Sequence, residues 1–192
     1  MHRRFRVALL LLVFAGLRSG VLPAADPPLP YGAPLPEATS QPRSAGGVRQ
    51  LEWSDLLPAG ERDRASAAPP APIHDYLSGE DGPAVSQSTT YSVNTELDGQ
   101  RVRLPGFIVP LELDAEGRIV EMFLVPYFGA CIHVPPPPPN QIVHVTLERG
   151  IAVESMYAAF WITGPLEVRR TATRLGASAY RIAAEKVEEY VF

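Results

Sequence analysis

The chain has 192 residues, of which 17 are Lys or Arg and 21 are Asp or Glu, so its formal net charge is −4. This length is typical of one ordinary domain with additional segments. The single cysteine excludes both an intramolecular disulfide framework and an all-cysteine zinc cluster. The 21 prolines exclude regular helix and central strand from much of the chain.

Residues 1–25 have the pattern of an export signal. Three arginines precede an apolar run over residues 7–17, which is too short to span a bilayer but has the length of a signal peptide core. Two alanines at positions 24 and 25 are suitable for cleavage. We therefore predict an exported, periplasmic protein, with an uncleaved N-terminal anchor as the alternative. A lipoprotein signal is excluded because the only cysteine is Cys131.

The charge of the predicted mature chain excludes some classes of partner. Removing residues 1–25 removes four arginines and no acidic residue, so the formal net charge changes from −4 to −8. Nucleic acids and anionic lipid surfaces bind clustered basic residues, and no such cluster remains. We predict no nucleic-acid partner and no transmembrane helix in the mature chain.

Residues 26–92 are rich in Pro, Ser and Ala, which predicts a largely disordered leader. A short apolar segment over residues 51–58 interrupts it. Its large apolar residues have the spacing of a short amphipathic helix that ends before a proline: Leu51, Trp53, Leu56 and Leu57. We expect this segment to dock its tryptophan on the domain that follows. The alternative is a short recognition motif for a partner.

Residues 93–192 are predicted to form a mainly β domain. Five runs have strand-like composition and alternation: Arg101–Leu113, Ile119–Tyr127, Gln141–Leu147, Tyr157–Val168 and Ala179–Val191. Five antiparallel strands in a domain of this size indicate a small barrel like the oligonucleotide/oligosaccharide-binding (OB) fold. A β-sandwich is the alternative.

Local patterns add detail to these runs. Pro105-Gly106 predicts a bulge or a bend in the first run, and residues 114–117 predict a hairpin loop with positive φ at Gly117. Gly164-Pro165 predicts that the fourth strand enters a turn. His144 is expected on the exposed, polar side of the third strand.

Three segments carry a resemblance to a known family: PGFIVPLE at 105–112, FLVPYFGACIHV at 123–134 and PPNQ at 138–141. With them the chain resembles the bacterial domain of unknown function 3299 family. The resemblance extends over residues 96–190 and, more weakly, over 51–58. It implies an exported protein, often encoded beside ABC-type transport components, with no agreed biochemical activity.

Cys131 and His133 are two residues apart, so in an extended chain their side chains point the same way. A thiolate and an imidazole in this arrangement are suitable ligands for a Zn or Cu ion. His74, Glu112 and Glu121 are candidates for further ligands, and the spacing favours none of them. The alternatives are a small buried cysteine beside a structural histidine, a thiol nucleophile activated by histidine, and an intermolecular disulfide.

The five prolines at 135–139 predict a polyproline II segment. We interpret it as a rigid strut that holds the preceding turn, or as a surface for an aromatic-lined groove of a partner. The amides that follow can satisfy backbone groups left unpaired by the prolines, and the preceding aromatic residues can pack on the proline rings or line a pocket. The candidate contact residues are Tyr127, Phe128, Pro135, Pro137, Asn140 and Gln141.

The leading hypothesis for function is an exported, non-enzymatic binding or accessory protein of an ABC-type transport system. Its partner would be an envelope protein or a transporter component, bound by the Cys-Ile-His-(Pro)5-Asn-Gln segment. One alternative is a periplasmic Zn- or Cu-binding protein that uses Cys131 and His133. A further alternative is a thiol-dependent enzyme, although no catalytic constellation is evident and no other cofactor is predicted.

Overall fold

The computed structural model describes residues 29–35, 44–45, 47–66, 87–89, 91–132, 134–153, 155 and 158–191. The predicted signal over residues 1–25, His74 and His133 lie outside this part of the chain. The strands and the α-helix are β1 (Ser44–Ala45), β2 (Val48–Gln50), α1 (Ala59–Ser66), β3 (Arg101–Leu113), β4 (Ile119–Val125), β5 (Val143–Ile151), β6 (Ala159–Thr173), β7 (Gly176–Ala184) and β8 (Lys186–Glu189). Short 3₁₀ helices lie at Trp53–Leu56, Thr95–Leu97 and Pro139–Gln141.

Five of the strands form a closed barrel in the order β3-β4-β5-β7-β6, because β6 pairs with β3 as well as with β7. All neighbouring pairs are antiparallel except β5 and β7, which are parallel. Strand β2 adds to β3, and β8 adds to β6. This arrangement confirms the predicted mainly β fold with a five-stranded, OB-like barrel and excludes the β-sandwich.

The first strand of the barrel has the bounds that the sequence predicts, whereas the last predicted strand does not. The first predicted run coincides with β3. The fifth, Ala179–Val191, is wrong as a single strand, because β7 ends at Ala184 and β8 begins at Lys186. Strand β7 pairs with the second half of β6, whereas β8 pairs with its first half over residues 160–163. Both pairings are antiparallel, so the chain continues along β6 in the same direction, with an interruption at Glu185.

The bulge in β3 lies later than the sequence suggests. Pro105 and Gly106 pair in regular register with β6, and the irregular pairing with β4 lies between Pro110 and Leu113. The predicted bulge at Pro105-Gly106 is therefore wrong. Gly106 serves close packing instead, because a Cβ atom there would lie 2.6 Å from Cγ of Leu124.

Gly164 and Pro165 also lie within a strand, so the predicted turn at this position is wrong. Pro165 pairs with Arg101 of β3, and the next residue, Leu166, pairs with a residue of β7. Strand β6 thus changes partner here without turning back. A Cβ atom on Gly164 would collide with the carbonyl oxygen of Ala183, so glycine permits the close approach of β6 and β7.

The loop between β3 and β4 confirms the predicted hairpin. Gly117 has φ +77, and the backbone N–H of Asp114 donates to the carbonyl oxygen of Arg118 at 2.8 Å. The Asp114 carboxylate accepts hydrogen bonds from the backbone N–H groups of Arg118 and Glu116. The bond from Arg118 is the main reason why the pKa of Asp114 is lowered.

The barrel interior is filled by alternating side chains of the five strands. Val143 and Val145 of β5 meet Tyr180 and Ile182 of β7 in the main hydrophobic cluster, as the alternation predicts. Other interior residues of the barrel are Val102, Leu104, Ile108, Met122, Leu124, Ile162 and Leu166. Burying each such aliphatic side chain stabilises the fold by about 1.5–3 kcal/mol before entropy is subtracted.

The segment over residues 51–58 docks on this barrel. Leu51 and Leu56 are 1% and 0% exposed and belong to the main cluster. The indole N–H of Trp53 donates to the carbonyl oxygen of Pro105 at 2.8 Å. The backbone N–H of Leu51 donates to the carbonyl oxygen of Arg103 at 2.9 Å. These residues belong to the predicted leader, but they pack against the barrel. Among the described residues, no helix is long and apolar enough to cross a membrane.

Candidate functional site

A second hydrophobic cluster covers the opposite face of β3, β4 and β6 and supports the candidate site. Its strand residues are Phe107, Val109, Phe123, Val125, Ala159 and Trp161. The cover is formed by residues 127–132 and 134–141, which we call the contact loop, and by residues 29–35. Within the contact loop, Phe128, Ala130 and Val134 are buried in this cluster. The loop is therefore anchored by packing on the barrel.

Aromatic contacts fix the start of the contact loop. Phe128 stacks on Tyr31, with ring centroids 5.2 Å apart and planes within 5°, and meets the edge of Phe107 at 5.6 Å. Such pairs add roughly 0.5–1.5 kcal/mol each beyond the area they bury. Gly129, which has φ +79, lies against the same tyrosine, since a Cβ atom there would be 2.5 Å from Cδ1 of Tyr31.

A tight turn at the outer end of the loop presents Ile132. The backbone N–H groups of Ile132 and Val134 both donate to the carbonyl oxygen of Gly129. The backbone N–H of Cys131 donates to the carbonyl oxygen of Val134. Cys131 has φ +66, the only positive value at a non-glycine residue in the described part of the chain. Ile132 is 57% exposed, whereas Ala130 and Val134 of the same loop are buried.

This turn changes the argument for a metal site. The shared direction of Cys131 and His133 was inferred from an extended chain, and that premise is wrong because Cys131 adopts a left-handed turn conformation. His133 lies outside the described residues. The described residues contain no group of three or more His, Cys, Asp or Glu side chains that could hold a metal ion. Glu112 and Glu121 lie on β3 and β4.

The Cys131 thiol is half-buried, and burial raises its pKa to about 12. Burial is also the main reason why the pKa of Tyr127 is raised, followed by the nearby charge of a Cys131 thiolate. The Tyr127 hydroxyl donates to the carbonyl oxygen of Pro135 at 2.8 Å. This hydrogen bond links Tyr127 to the proline run, and the raised pKa keeps the Tyr127 phenol neutral at physiological pH.

The two amide side chains that follow the prolines, Asn140 and Gln141, hydrogen-bond to other parts of the chain. The Asn140 amide is 2% exposed and donates to the carbonyl oxygen of Ser92 at 2.8 Å. The Gln141 amide donates to the carbonyl oxygen of Trp53 at 3.0 Å. These amide groups therefore satisfy backbone acceptors of segments that are distant in sequence. Pro139 lies in a 3₁₀ helix, so the prediction of polyproline II over residues 135–139 is wrong at this residue.

Gln87 connects the proline run to the β6–β7 hairpin. Its amide nitrogen donates to the carbonyl oxygens of Pro137 and Ala177, both at 2.8 Å, and its amide oxygen accepts from the backbone N–H of Ala177 at 2.7 Å. The carbonyl group of Pro137 is therefore engaged within the molecule. The contact loop is thus held at both its aromatic start and its proline-rich end.

A pair that the sequence did not indicate, a buried histidine and a partly exposed glutamate, lies on the outer face of β4 and β5. His144 is 6% exposed, so its predicted exposure is wrong. Its Nε2 atom lies 2.5 Å from Oε1 of Glu121, and because a carboxylate only accepts, Nε2 is the donor. The ring also meets the edge of Phe123 at 6.1 Å. The sequence does contain one indication of this burial, because valines at positions 143 and 145 place the histidine in an apolar strand.

Comparison with known proteins identifies the family. Residues 53–189 match the family described as protein of unknown function (DUF3299). The chain belongs to the DUF3299 family. A crystal structure of a DUF3299 family protein from Pseudomonas aeruginosa PAO1 is 45% identical to this chain, with a TM-score of 0.65. The match covers 77% of this chain and 99% of that one. A search of curated proteins found no match.

The range matched to DUF3299 extends well beyond the barrel strands. It begins at Trp53, within the docked segment, and includes the contact loop and both strands that follow β6. The docked segment and the barrel are therefore parts of one family unit. Membership of DUF3299 confirms the resemblance read from the sequence and assigns no activity.

Proposed function

We propose that this protein is an exported, non-enzymatic accessory protein that binds an envelope protein through its contact loop. The observation that carries the proposal is the exposure of Ile132, which is 57% exposed at the apex of an anchored turn. A preorganised loop loses little conformational entropy when it binds. An apolar side chain presented on such a loop is suited to fill a pocket on a protein partner.

The state of the cysteine supports binding rather than thiol catalysis. A nucleophilic cysteine reacts as its thiolate, and a pKa raised to about 12 keeps the Cys131 thiol protonated at neutral pH. Cys131 is therefore assigned to the packing of the turn.

The compartment and partner class in this proposal come from the sequence. The predicted signal over residues 1–25 would export the chain, and the mature protein would carry a net charge of −8. The family resemblance points to a component of an ABC-type transport system as the partner. An acidic protein with an apolar contact residue fits an envelope protein whose pocket is apolar at its centre and basic at its rim.

The test uses the full-length protein expressed in a bacterial host and recovered with its partners after mild crosslinking in the envelope. Ile132→Ser is compared with Leu113→Ser, because Leu113 is 55% exposed but lies at the end of β3, away from the contact loop. We expect the Ile132 variant to lose a specific crosslinked partner and the Leu113 variant to retain it. Capture that is unchanged by Ile132→Ser would contradict the proposal.

Export is tested separately. The N-terminal residue of the protein recovered from the periplasmic fraction identifies the cleavage position, which we expect close to Ala25. Recovery of the chain only from the cytoplasm would contradict the compartment but would leave the binding experiment valid.

A further inference from the structure

A cavity of about 600 Å³ lies between the β3–β4 hairpin and the tip of the β6–β7 hairpin. Its volume is in the range of small-molecule sites. The described residues that line it are Pro110, Leu111, Glu112, Glu121, Thr173, Arg174 and Leu175. They comprise apolar surface, two carboxylates, a hydroxyl and a guanidinium. The contact loop contributes none of them.

One wall of the cavity carries both carboxylates. Glu112 of β3 and Glu121 of β4 are register partners in the sheet, and like charges directly opposite one another are destabilising. Glu121 is held by the buried His144, which donates to only one of its oxygens. Glu112 makes no ion pair with any residue of the described chain. A cation between the two carboxylates would remove their repulsion.

The facing wall carries Arg174. It lies at the hairpin tip, which is closed by a hydrogen bond from the Thr173 hydroxyl to the carbonyl oxygen of Gly176 and by one from the Leu175 backbone N–H to that hydroxyl. Gln87 fixes the same hairpin through Ala177. Within the described residues Arg174 has no carboxylate partner. A guanidinium without a carboxylate partner is suited to bind a carboxylate by two parallel hydrogen bonds.

We propose that this cavity binds a small zwitterion in which an aliphatic chain separates the two charged groups. Its ammonium group lies between Glu112 and Glu121, and its carboxylate lies against Arg174. Its aliphatic chain packs on Leu111 and Leu175, of which the latter is 40% exposed. Free amino acids such as lysine and the C-terminal residue of a lysine-ending peptide both have this chemistry. The inference goes beyond the proposed function and does not depend on the contact loop.

Titration calorimetry on the full-length protein tests the charge requirement with three probes of equal chain length. These are ε-aminocaproate, which has both charged groups, hexylamine, which lacks the carboxylate, and hexanoate, which lacks the ammonium. We expect ε-aminocaproate to bind at least about tenfold more tightly than either of the others, since each loses one ion pair. Equal binding of ε-aminocaproate and hexylamine, or no binding of any probe at millimolar concentration, would overturn the proposal.

Variants locate the site. Glu112→Gln and Arg174→Gln are both at exposed positions, so their folding is checked by an unchanged thermal unfolding midpoint. Each should weaken the binding of ε-aminocaproate by about tenfold, whereas Glu116→Gln, in the β3–β4 loop outside the cavity, should not. Binding that is insensitive to both of the first two variants would refute the assignment.

The natural source of the ligand is distinguished by two further probes. Lysine and the dipeptide glycyl-lysine share the side-chain ammonium and the terminal carboxylate. Tighter binding of lysine would identify a free amino acid, and tighter binding of the dipeptide would identify a peptide end. Failure of both probes would exclude the lysine-like ligands named here.

Discussion

The hydroxyl group of Tyr180 donates a hydrogen bond to the carbonyl oxygen of Leu56, 2.5 Å away, and accepts one from the backbone N–H of Asn94 at 2.7 Å. The two partners are 124 and 86 residues distant in sequence from this tyrosine. Tyr180 is 0% exposed. One buried hydroxyl thus joins the barrel interior to the docked segment and to the entry of β3.

Tyr180→Phe removes this hydroxyl from a buried carbonyl group and a buried N–H that also hydrogen-bond to each other, since Asn94 N–H donates to the Leu56 carbonyl oxygen at 3.1 Å. We expect a loss of about 0.5–1.5 kcal/mol in the free energy of unfolding, the net contribution of a typical hydrogen bond. Urea unfolding followed by tryptophan fluorescence measures it. A variant as stable as the wild type would show that the two backbone groups find other partners.

The same hydroxyl predicts a dependence of stability on alkaline pH. Burial is the main cause that raises the pKa of Tyr180 from 10.0 to about 12, so the unfolded chain loses this proton first. The contribution of Tyr180 is therefore complete below about pH 10 and is lost as pH rises towards 12. Unfolding free energies measured across this range should fall more steeply for the wild type than for Tyr180→Phe. Equal slopes would contradict the prediction.

The docked segment should contribute strongly to stability. Leu56→Ala creates a cavity in the main cluster, where Leu56 is 0% exposed, and we expect a loss of about 2–5 kcal/mol. Leu113→Ala is the matched control, because Leu113 is 55% exposed and should change stability by no more than about 0.5 kcal/mol. Both are measured by urea unfolding. Similar values for the two variants would mean that the segment is not packed as described.

The Cys131 thiol should be unreactive in the folded protein. Its pKa is raised by burial from 9.0 to about 12, so the fraction of thiolate at pH 8 is far smaller than in an unfolded chain. Labelling with iodoacetamide, followed by mass spectrometry, should be slow in buffer and fast in urea. Labelling of the native protein at the rate of the unfolded one would contradict the described burial.

The sign of the pH effect is the same for Cys131 as for Tyr180. Because the pKa of the thiol is raised from 9.0 to about 12 in the folded state, its contribution to stability is complete below about pH 9 and is lost as pH rises towards 12. Cys131→Ala should remove this part of the alkaline destabilisation. The measurement is the difference in unfolding free energy between pH 8 and pH 11 for the two proteins.

Two glycines allow a comparison of backbone contacts. Gly164→Ala places a methyl group against the carbonyl oxygen of Ala183, at the position where β6 changes partner. This carbonyl group belongs to the backbone of β7, which cannot easily move aside. We expect a loss of about 1–3 kcal/mol. Gly60→Ala in α1 meets nothing within 4 Å and should stabilise the protein by about 0.5–1 kcal/mol. Thermal unfolding midpoints that move in the same direction would contradict this interpretation.

Alternation within single strands is the part of the fold that is readable from the sequence. In β5, Val143 and Val145 point into the barrel because successive side chains of a strand point to opposite faces. The turn at Gly117 and the apolar spacing around Trp53 are similarly local signals, carried by a few neighbouring residues. Each of these depends on properties of one short segment.

The pairing of His144 with Glu121 was not readable in this way. Their contact depends on the register between β4 and β5, which changes between Ile119 and Glu121. A shift of one residue would move every side chain of a strand to the other face. The conformation of Cys131 was missed because a residue other than glycine rarely adopts positive φ, and the turn is closed by hydrogen bonds from Ile132 and Val134 to the Gly129 carbonyl oxygen.

By itself the sequence determined that the chain carries a five-stranded, mainly β domain with one cysteine beside a run of prolines. Only the tertiary structure decided that β6 closes the barrel by pairing with both β3 and β7, that the last run divides at Glu185, and that His144 is buried. The physical reason is the range of the interactions concerned. Alternation and turn chemistry act between neighbours in sequence, whereas closure, register and burial depend on residues that meet only when the chain has folded.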